Sequence, residues 1–326
     1  MNTFAVFGLG LALMVGTVKV GTNQGKKTFI IRNASEGPRV MAEGGLLDML
    51  RRNGFSAAGI ETVKLTPAEE KEYGAWNRGA VENRHIGRLV SAYRLNEGLT
   101  IGLLTNCVDV LGMLAGLQHL GPPAEAGANP PREGLAGQKP LRVGLIYLDA
   151  HADFNTPETT LSGMLGGMDV AVAAGMCLTR LRLKVGLDPA LPTRYIVFGG
   201  LRDVDPLEQE LLDRSEAAFL SVDDLRRGSS KIEDEIARLG RLTDIIYVHI
   251  DMDVLDPGEV RGHSLSVPEG PSSRELAAAL ERMFRHPKTG AIGIASLPFG
   301  ERDKDGLSLK AAYNLIEGAL RGYKDR

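Results

Sequence analysis

The chain is poor in cysteine, in aromatic residues and in basic charge. Its 326 residues include only two cysteines, Cys107 and Cys177, which are too few for a disulfide framework and fit a cytoplasmic protein. The formal net charge of −3 provides no basic field for nucleic acid or for an anionic membrane surface. Aromatic residues make up 5% of the chain and glycine occurs 40 times, a composition typical of α/β enzymes.

Sequence signals of several other protein classes are also missing. No phosphate loop or Gly-x-Gly-x-x-Gly motif follows a predicted strand, which argues against a nucleotide-binding protein. There is no internal repeat and no heptad run. The apolar run from Phe4 to Val15 has no Lys or Arg before it and is too short and too interrupted by glycine to cross a bilayer. We expect it to form a buried strand or hairpin arm, with an export role as the alternative.

Apolar runs alternate with helical patterns along most of the chain. Several of the apolar runs are continuous, as expected for strands that are covered on both faces. The alternation predicts a parallel sheet with helices on both sides, in a single α/β domain over residues 1–326. An N-terminal extension (about 1–27) and an irregular, Pro- and Gly-rich loop (about 121–140) flank or interrupt it. The predicted strands are Thr28–Arg32, Gly98–Leu104, Arg142–Leu148, Arg194–Gly199, Asp244–Ile250 and Ala291–Ala295. The predicted helices are Val40–Asn53, Ala80–Leu95, Val108–His119, Leu161–Leu178, Leu207–Ser215, Ser230–Leu239, Ser272–Phe284 and Leu307–Arg321.

Two of the predicted strands end in acidic motifs. One apolar run leads into Asp149-Ala-His151-Ala-Asp153, and another leads into Asp251-Met-Asp253. Residues at i, i+2 and i+4 of an extended chain face the same way, and ligands bind beyond the carboxyl ends of parallel strands. We therefore expect these side chains to converge in one crevice.

Four carboxylates and an imidazole in one crevice would repel one another unless cations were present. Hard or borderline divalent ions such as Mn²⁺ suit such donors, and two ions in one site are plausible with this many carboxylates. Such a pair would lower the pKa of a bridging water and supply hydroxide near neutral pH. A single Asp-x-Asp after a strand is often only a turn or a helix cap, and Asp256-Pro257 favours a turn. Both motifs together favour the metal site.

These motifs resemble those of the arginase/agmatinase (ureohydrolase) family, of which the chain would be a divergent member. The segment from Asp149 to Gly163 is similar to the pattern DAHxDxNTPxTTxSG, and the segment from His249 to Pro257 is similar to xxDxDxxDP. Residues 200–208 resemble GLRDVDPxE, and residues 36–47 resemble the opening EGPxxLRxxGL. The matches run in order from about residue 28 to 257, and about the last seventy residues match weakly.

The resemblance implies a three-layer α/β/α fold with a mainly parallel sheet of about eight strands. It also implies two divalent ions, Mn²⁺ by family, that Asp149 and Asp251 bridge. Asp153 would complete the ligands of the first ion, and His151 and Asp253 would complete those of the second. Four further positions would bind the substrate's carboxylate and amino groups: Asn155, Ser162, Asp205 and Glu208. From the residues alone, a turn at Asn155, helix caps at Ser162 and Asp205, and a first-turn acid at Glu208 explain these four equally well.

Three positions depart from the family pattern. Cys107 stands where the motif GGDHS supplies a histidine to the first metal. Gly166 stands where the motif SGNLHG carries a histidine thought to shuttle protons. The glutamate of xExNP, which binds the guanidinium, has no counterpart in residues 295–300, and the nearest acid is Glu301.

These departures change the expected chemistry. A thiolate at Cys107 would favour Zn²⁺, Fe²⁺ or Ni²⁺ over Mn²⁺. At the start of a helix and near a cation, its pKa should lie below that of a free thiol. Alternatively, Cys107 is a core residue that binds no metal, and the first ion is weak or absent. His263, in the loop after Asp256-Pro257, is a candidate replacement for the missing proton shuttle, with an idle loop histidine as the alternative.

The sequence therefore predicts a binuclear-metal hydrolase that cleaves a linear C–N bond in a guanidino, amidine or amide substrate. Asp153 and His263 are the candidate catalytic residues, and arginase activity itself is not expected. The alternative is a non-catalytic relative that keeps the fold and binds a metal or an amino-acid-like ligand, as a subunit or sensor. We expect a small-molecule substrate, no nucleic-acid or membrane partner, and a homo-oligomer, which the resemblance makes a trimer or hexamer; a different partner subunit stays open.

Overall fold

The structure is a computed structural model that describes residues 26–93, 95–121 and 139–326. The predicted arm from Phe4 to Val15 and nearly all of the irregular loop at about 121–140 lie outside the described residues. The described part forms eight strands and eleven α-helices. The strands are β1 (Lys26–Arg32), β2 (Phe55–Thr62), β3 (Leu99–Leu103), β4 (Val143–Leu148), β5 (Ile196–Gly199), β6 (Ala218–Leu220), β7 (Ile245–Asp251) and β8 (Thr289–Ala295). The helices are α1 (Glu36–Met41), α2 (Leu47–Arg52), α3 (Ala75–Ser91), α4 (Val110–Gln118), α5 (Asp169–Ala173), α6 (Thr179–Val185), α7 (Pro206–Asp213), α8 (Val222–Arg227), α9 (Lys231–Leu242), α10 (Ser273–Phe284) and α11 (Leu307–Lys324).

The eight strands form one parallel sheet in the order β2-β1-β3-β8-β7-β4-β5-β6. Every residue of β3, β4 and β7 is buried, because helices cover both faces of the sheet. Helices α1, α2 and α8 to α11 pack on one face, and α3 to α7 pack on the other. The predicted three-layer α/β/α fold with about eight mainly parallel strands is confirmed.

All six predicted strands are present, and two further strands were missed. The missed strands, β2 and β6, are the two edges of the sheet. An edge strand has a neighbour on one side only and is less covered, so it does not need the continuous apolar run that marks the central strands. Strand β2 has the sequence Phe-Ser-Ala-Ala-Gly-Ile-Glu-Thr, and β6 is three residues long.

The predicted helix Leu161–Leu178 is wrong. Only α5 and a single 3₁₀ turn, Leu165–Gly167, occupy this stretch, and the rest is loop. The cause is local: Gly163 takes a φ of 69°, a left-handed value that a continuous α-helix does not contain. Leu161 and Met164 thus lie on an exposed loop, whereas Met168 and the apolar residues of α5 are buried. Two short helices, α6 and α8, were not predicted.

No helix in the described ranges is both long and apolar enough to cross a bilayer.

Candidate active site

Four adjacent strands deliver the candidate residues to one edge of the sheet. In the order β3-β8-β7-β4, the strands end just before or at Cys107, Ser296, Asp251 and Asp149. Leu148 pairs with Ile250, so Asp149 and Asp251 leave the sheet side by side. Parallel neighbours end at the same edge, and the topology therefore brings together side chains that are up to about 190 residues apart in sequence.

The acidic motifs meet through turns and not through extended chain, contrary to the i, i+2 argument. The carboxylate of Asp149 accepts a hydrogen bond from the backbone N–H of His151 at 2.7 Å. Asp251 accepts one from the N–H of Asp253 at 3.1 Å, at the start of a 3₁₀ turn. Asp153 has a φ of 48°, a left-handed conformation that is uncommon outside glycine and asparagine. The Asp-x-His and Asp-x-Asp spacings thus form side-chain-to-backbone turns that fold the second acid or imidazole back over the strand ends.

The converging side chains form three overlapping groups of potential metal ligands. In each group, one donor atom per residue lies within 4.8 Å of the others. The groups are Cys107/Asp149/Asp153, Asp149/His151/Asp253 and Asp251/Asp253/His263. Asp149 and Asp253 each belong to two groups. The predicted metal set is therefore brought together, with His263 as an additional member.

Burial and mutual repulsion raise the pKa values of two of the acids in this cluster. Burial, and after it the charges of Asp253, Asp153 and Asp251, raise the pKa of Asp149 well above its ordinary value. Burial raises the pKa of Asp153 to about 8, although the hydrogen bond that Asp153 accepts from Tyr147 lowers it. An ionised carboxylate is costly to bury unless a positive charge compensates it, so these buried acids retain their protons to a higher pH. The donor set and its burial therefore fit divalent cations.

Two histidines, His151 and His263, belong to the described ligand groups. Burial lowers the pKa of His151, but the hydrogen bond and charge of Asp253 outweigh it and raise that pKa to about 9. His263 lies with Nε2 3.4 Å from Oδ1 of Asp251 and Nδ1 3.8 Å from Oδ2 of Asp253. Its side chain is 8% exposed. The structure thus places His263 within ligand distance of the cluster, a position that its loop sequence did not reveal.

Cys107 lies at the cluster and not in the core between sheet and helices. Its thiol donates a hydrogen bond to Oδ2 of Asp251 at 2.8 Å. Burial raises the pKa of this thiol well above its ordinary value, and the charges of Asp251, Asp153 and Asp149 raise it further. The prediction of a lowered pKa is wrong in the metal-free protein. The helix start at Cys107 is a three-residue 3₁₀ turn, and its partial positive charge is outweighed by burial and the surrounding carboxylates.

A cavity of about 590 Å³ opens over the cluster, and the four candidate substrate residues all line it. Asn155 donates a hydrogen bond to Asp205 at 3.1 Å. Asp205 caps α7 in a reciprocal capping box with Glu208. Burial raises the pKa of Glu208, which also accepts a hydrogen bond from the N–H of Phe154 at 2.7 Å. Ser162 is exposed on the loop before α5 and caps no helix. Asp205 and Glu208 therefore have a structural role in addition to their place in the cavity wall.

Sequence reasoning missed several residues behind the cluster. Tyr147 donates a hydrogen bond to Oδ2 of Asp153 at 2.5 Å and lies 3.5 Å from Asp169, whose buried Oδ2 has no partner in the described structure. Ser296 donates to Oδ2 of Asp251 at 2.5 Å. His249 stacks on Tyr147 with ring centres 5.1 Å apart, and burial lowers its pKa to about 4. Tyr147 and His249 each precede a cluster aspartate by two residues, which is the one signal that pointed to them.

Comparison with known proteins decides the family. The model of the arginase family matches residues 129–296, which are 168 of the 326 residues. The chain belongs to the arginase family.

Related proteins support the same assignment over more of the chain. An arginase of Entamoeba histolytica is 28% identical over 265 residues, which cover 79% of this chain and 83% of that protein. The crystal structure of arginase from Bacillus cereus superposes with a TM-score of 0.74 at 21% identity, covering 91% of this chain and 99% of that one. The structure of formimidoylglutamase from Bacillus subtilis gives a TM-score of 0.66 at 16% identity, covering 92% and 88%. These two structures share the fold.

The structure localises the three departures from the arginase-family motifs. Cys107 occupies a ligand group, where the family motif has histidine. Gly166 lines the cavity, and a Cβ at this position would meet no atom within 4 Å, so space is left where the motif carries a histidine. Glu301 does not line the cavity and pairs with Lys304 at 2.5 Å, whereas Ser296, Leu297, Pro298 and Phe299 form that wall. The described cavity wall after β8 thus contains no acid.

Proposed function

We propose that this arginase-family chain is a metal-dependent hydrolase that cleaves a linear C–N bond of a guanidino, amidine or amide substrate. The observation that carries the proposal is the set of three overlapping ligand groups at the floor of one cavity. The position of this floor, at the carboxyl ends of four neighbouring parallel strands, is where open α/β sheets bind their ligands.

Two divalent ions are proposed as cofactors. Cys107, Asp149 and Asp153 would hold the first, and His151 and Asp253 would hold the second together with Asp149. Asp251 lies beside both groups and is proposed, with Asp149, to be shared. Mn²⁺ is the expected metal by family, and Zn²⁺, Fe²⁺ or Ni²⁺ if the Cys107 thiolate binds. When bound, such ions supply a nucleophile at neutral pH by acidifying water.

The chain's own residues would orient the reaction and move its protons. Asp153 is fixed by the hydroxyl of Tyr147, so its free carboxylate edge faces the cluster in one orientation. His263 lines the cavity, and its pKa is raised: burial lowers it, but the hydrogen bond and charge of Asp251 outweigh burial. We assign to it the protonation of the leaving nitrogen.

Asn155, Ser162, Asp205 and Glu208 are proposed to hold a polar group of the substrate on the opposite wall from β8. Their donors and acceptors suit an amino or carboxylate group, as in amino-acid substrates. The wall after β8 has no acid for a guanidinium, and L-arginine is therefore not the proposed substrate.

Metal content together with turnover tests this function. Purified protein, loaded with Mn²⁺, Zn²⁺, Fe²⁺ or Ni²⁺, should hold up to two ions per chain and hydrolyse a member of a panel of guanidino, amidine and amide compounds. Asp149→Ala should lose both the metal and the turnover. Asp256→Ala is the matched control, because Asp256 follows the neighbouring strand β7 but accepts a hydrogen bond from the N–H of Gly258 and belongs to no ligand group.

Metal binding without turnover on any compound class would instead support a non-catalytic relative that binds a metal or an amino-acid-like ligand. The three departures from the family motifs are the observation that favours this alternative. Absence of bound metal would refute the hydrolase and would leave only a relative that binds an amino-acid-like ligand.

A homo-oligomer, a trimer or hexamer, is proposed by analogy with the family. A cytoplasmic location is proposed because neither of the two cysteines forms a disulfide. Light scattering that gives a single chain's mass across the micromolar range would count against self-association.

A further inference from the structure

We propose that the reacting group of the substrate is an uncharged amide and that an aliphatic or aromatic part of the substrate lies against the mouth of the cavity. This inference rests on the proposed function and names its substrate class. The features that carry it are the apolar residues around the mouth and the absence of a counter-charge for a cation on the wall after β8.

Four large apolar side chains are exposed around the mouth of the cavity. They come from three loops: Leu161 and Met164 before α5, Leu265 after β7, and Phe299 after β8. Their exposed fractions are 77%, 50%, 48% and 39%. Single exposed apolar residues are ordinary, but several that converge from separate loops on one cavity mark a binding surface. We call these four residues the apolar rim.

The apolar rim is continuous with the cluster. The same cavity of about 590 Å³ is lined by the rim and, at its floor, by Asp153, Asp251, Asp253 and His263. This volume is in the range of pockets that enclose small molecules. A substrate whose reacting bond reaches the floor must therefore place its next atoms against the rim. This continuity favours a small molecule over a second copy of the chain.

The reacting end of the substrate is inferred to be uncharged. The wall after β8 presents Ser296, Leu297, Pro298 and Phe299, and the charged residue beyond them, Arg302, is a cation. The carboxylates at the floor would be occupied by metal ions in the active protein. No described side chain on that wall is then left to compensate an amidinium or guanidinium, and a buried cation without a partner is costly. A carboxamide avoids that cost.

Chain-length dependence of ligand affinity gives the test. The Mn²⁺-loaded full chain is titrated calorimetrically with a series of straight-chain hydroxamic acids, from acetohydroxamic to octanohydroxamic acid. Their head resembles an amide, is uncharged in neutral solution, and chelates metals after it releases a proton. Each added methylene that is buried at the rim should tighten binding about threefold to fourfold, until the chain outgrows the rim.

Variants assign the effect to the rim. Leu161→Ser and Leu265→Ser should reduce the gain per methylene, because each removes an apolar contact at the mouth. Leu183→Ser is the matched control: Leu183 is 49% exposed, much like Leu265, but lies on α6 and does not line the cavity. Its chain-length dependence should equal that of the wild type.

The outcomes are distinct. A flat series, with acetohydroxamic acid bound as tightly as the octanoyl compound, would overturn the inference and leave the metal function standing. A gain that survives in both rim variants would also overturn it, because the chain would then bind elsewhere. A flat series with an oligomer that Leu265→Ser dissociates would show that the rim contacts a second copy. Failure of acetohydroxamic acid to bind the loaded protein would overturn the metal centre and the inference together.

Discussion

The thiol of Cys107 donates a hydrogen bond to Oδ2 of Asp251 across 2.8 Å, and this contact joins the ends of two strands that are not neighbours. Strand β8 lies between them, and the residue that follows it, Ser296, donates to the same oxygen at 2.5 Å. Burial alone would raise the pKa of Asp251, but the hydrogen bonds from His263, Cys107 and Ser296 lower it to about 2. Asp251 is therefore held as a carboxylate even without metal.

Cys107→Ser is expected to reduce occupancy of one metal ion while sparing the other, because Cys107 belongs to one of the three ligand groups. Cys107→His should restore that ion and shift the preference from Zn²⁺ or Fe²⁺ towards Mn²⁺, since imidazole is a harder donor than thiolate. Elemental analysis after loading with each metal measures both effects.

The same experiment has a clear contrary outcome. If wild type, Cys107→Ser and Cys107→His take up Zn²⁺ and Fe²⁺ identically, Cys107 is not a ligand. Cys177→Ser serves as the control, because Cys177 belongs to no ligand group.

Metal binding is expected to strengthen as the pH rises. Burial raises the pKa of Asp153 to about 8, and Asp253 helps to raise that of His151 to about 9. Both groups hold protons at pH 7 in the metal-free protein and must release them to bind an ion. Apparent affinity should increase by up to about tenfold per pH unit for each proton displaced. Calorimetry in buffers of different ionisation enthalpy counts the protons released.

The stability of the metal-free protein should change with pH in the opposite direction. Both pKa values are higher in the folded chain than the reference values of about 3.9 and 6.5 that apply to the unfolded chain. The folded state therefore binds more protons between about pH 4 and 9, and its stability falls as the pH rises through that window. Thermal unfolding in chelator should show this fall, and Asp153→Asn should weaken it. A midpoint that is independent of pH would contradict the assignment.

Tyr147→Phe is expected to weaken metal binding about 10- to 100-fold, because Asp153 loses the hydroxyl that orients it. The free energy of unfolding should fall by about 1–3 kcal/mol as a buried acceptor loses its partner. Metal titration and chemical denaturation measure the two effects.

Tyr247→Phe separates positioning from stability. The Tyr247 hydroxyl lies 2.8 Å from Nδ1 of His249 and is as deeply buried as that of Tyr147, but it contacts none of the proposed ligands. The free energy of unfolding of Tyr247→Phe should fall about as much as that of Tyr147→Phe, but its metal affinity should stay that of the wild type. Equal metal affinities for the two variants would show that Tyr147 has no positioning role.

Urea release from L-arginine is expected to be low or absent in the metal-loaded protein. The described wall after β8 has no acid for the guanidinium, and Gly166 leaves space where the family motif has a histidine. A rate in the range typical of enzymes, about 1–10³ s⁻¹, would contradict this prediction. A colorimetric urea assay measures it, with an authentic arginase as the positive control.

The two acidic strand ends and the central sheet could be predicted from the sequence because their signals are local. A strand buried on both faces must be apolar throughout, so β3, β4 and β7 were evident as uninterrupted runs. The acidic motifs follow two of these runs directly, and the spacing of their acids is visible in the chain. The edge strands and the loop that replaced the helix predicted at Leu161–Leu178 lacked such a signal.

The sequence by itself determined the parallel α/β fold and the identity of most candidate ligands, since both depend on side chains close together in the chain. Only the tertiary structure decided which distant groups join them. The strand order β3-β8-β7-β4 brings Cys107 and Ser296 to Asp251, and the loop after β7 returns His263 to the same carboxylate. The raised pKa of the Cys107 thiol follows from that assembly, because the fold buries the thiol and brings to it carboxylates from the ends of strands β4 and β7, and no local pattern around residue 107 records either effect.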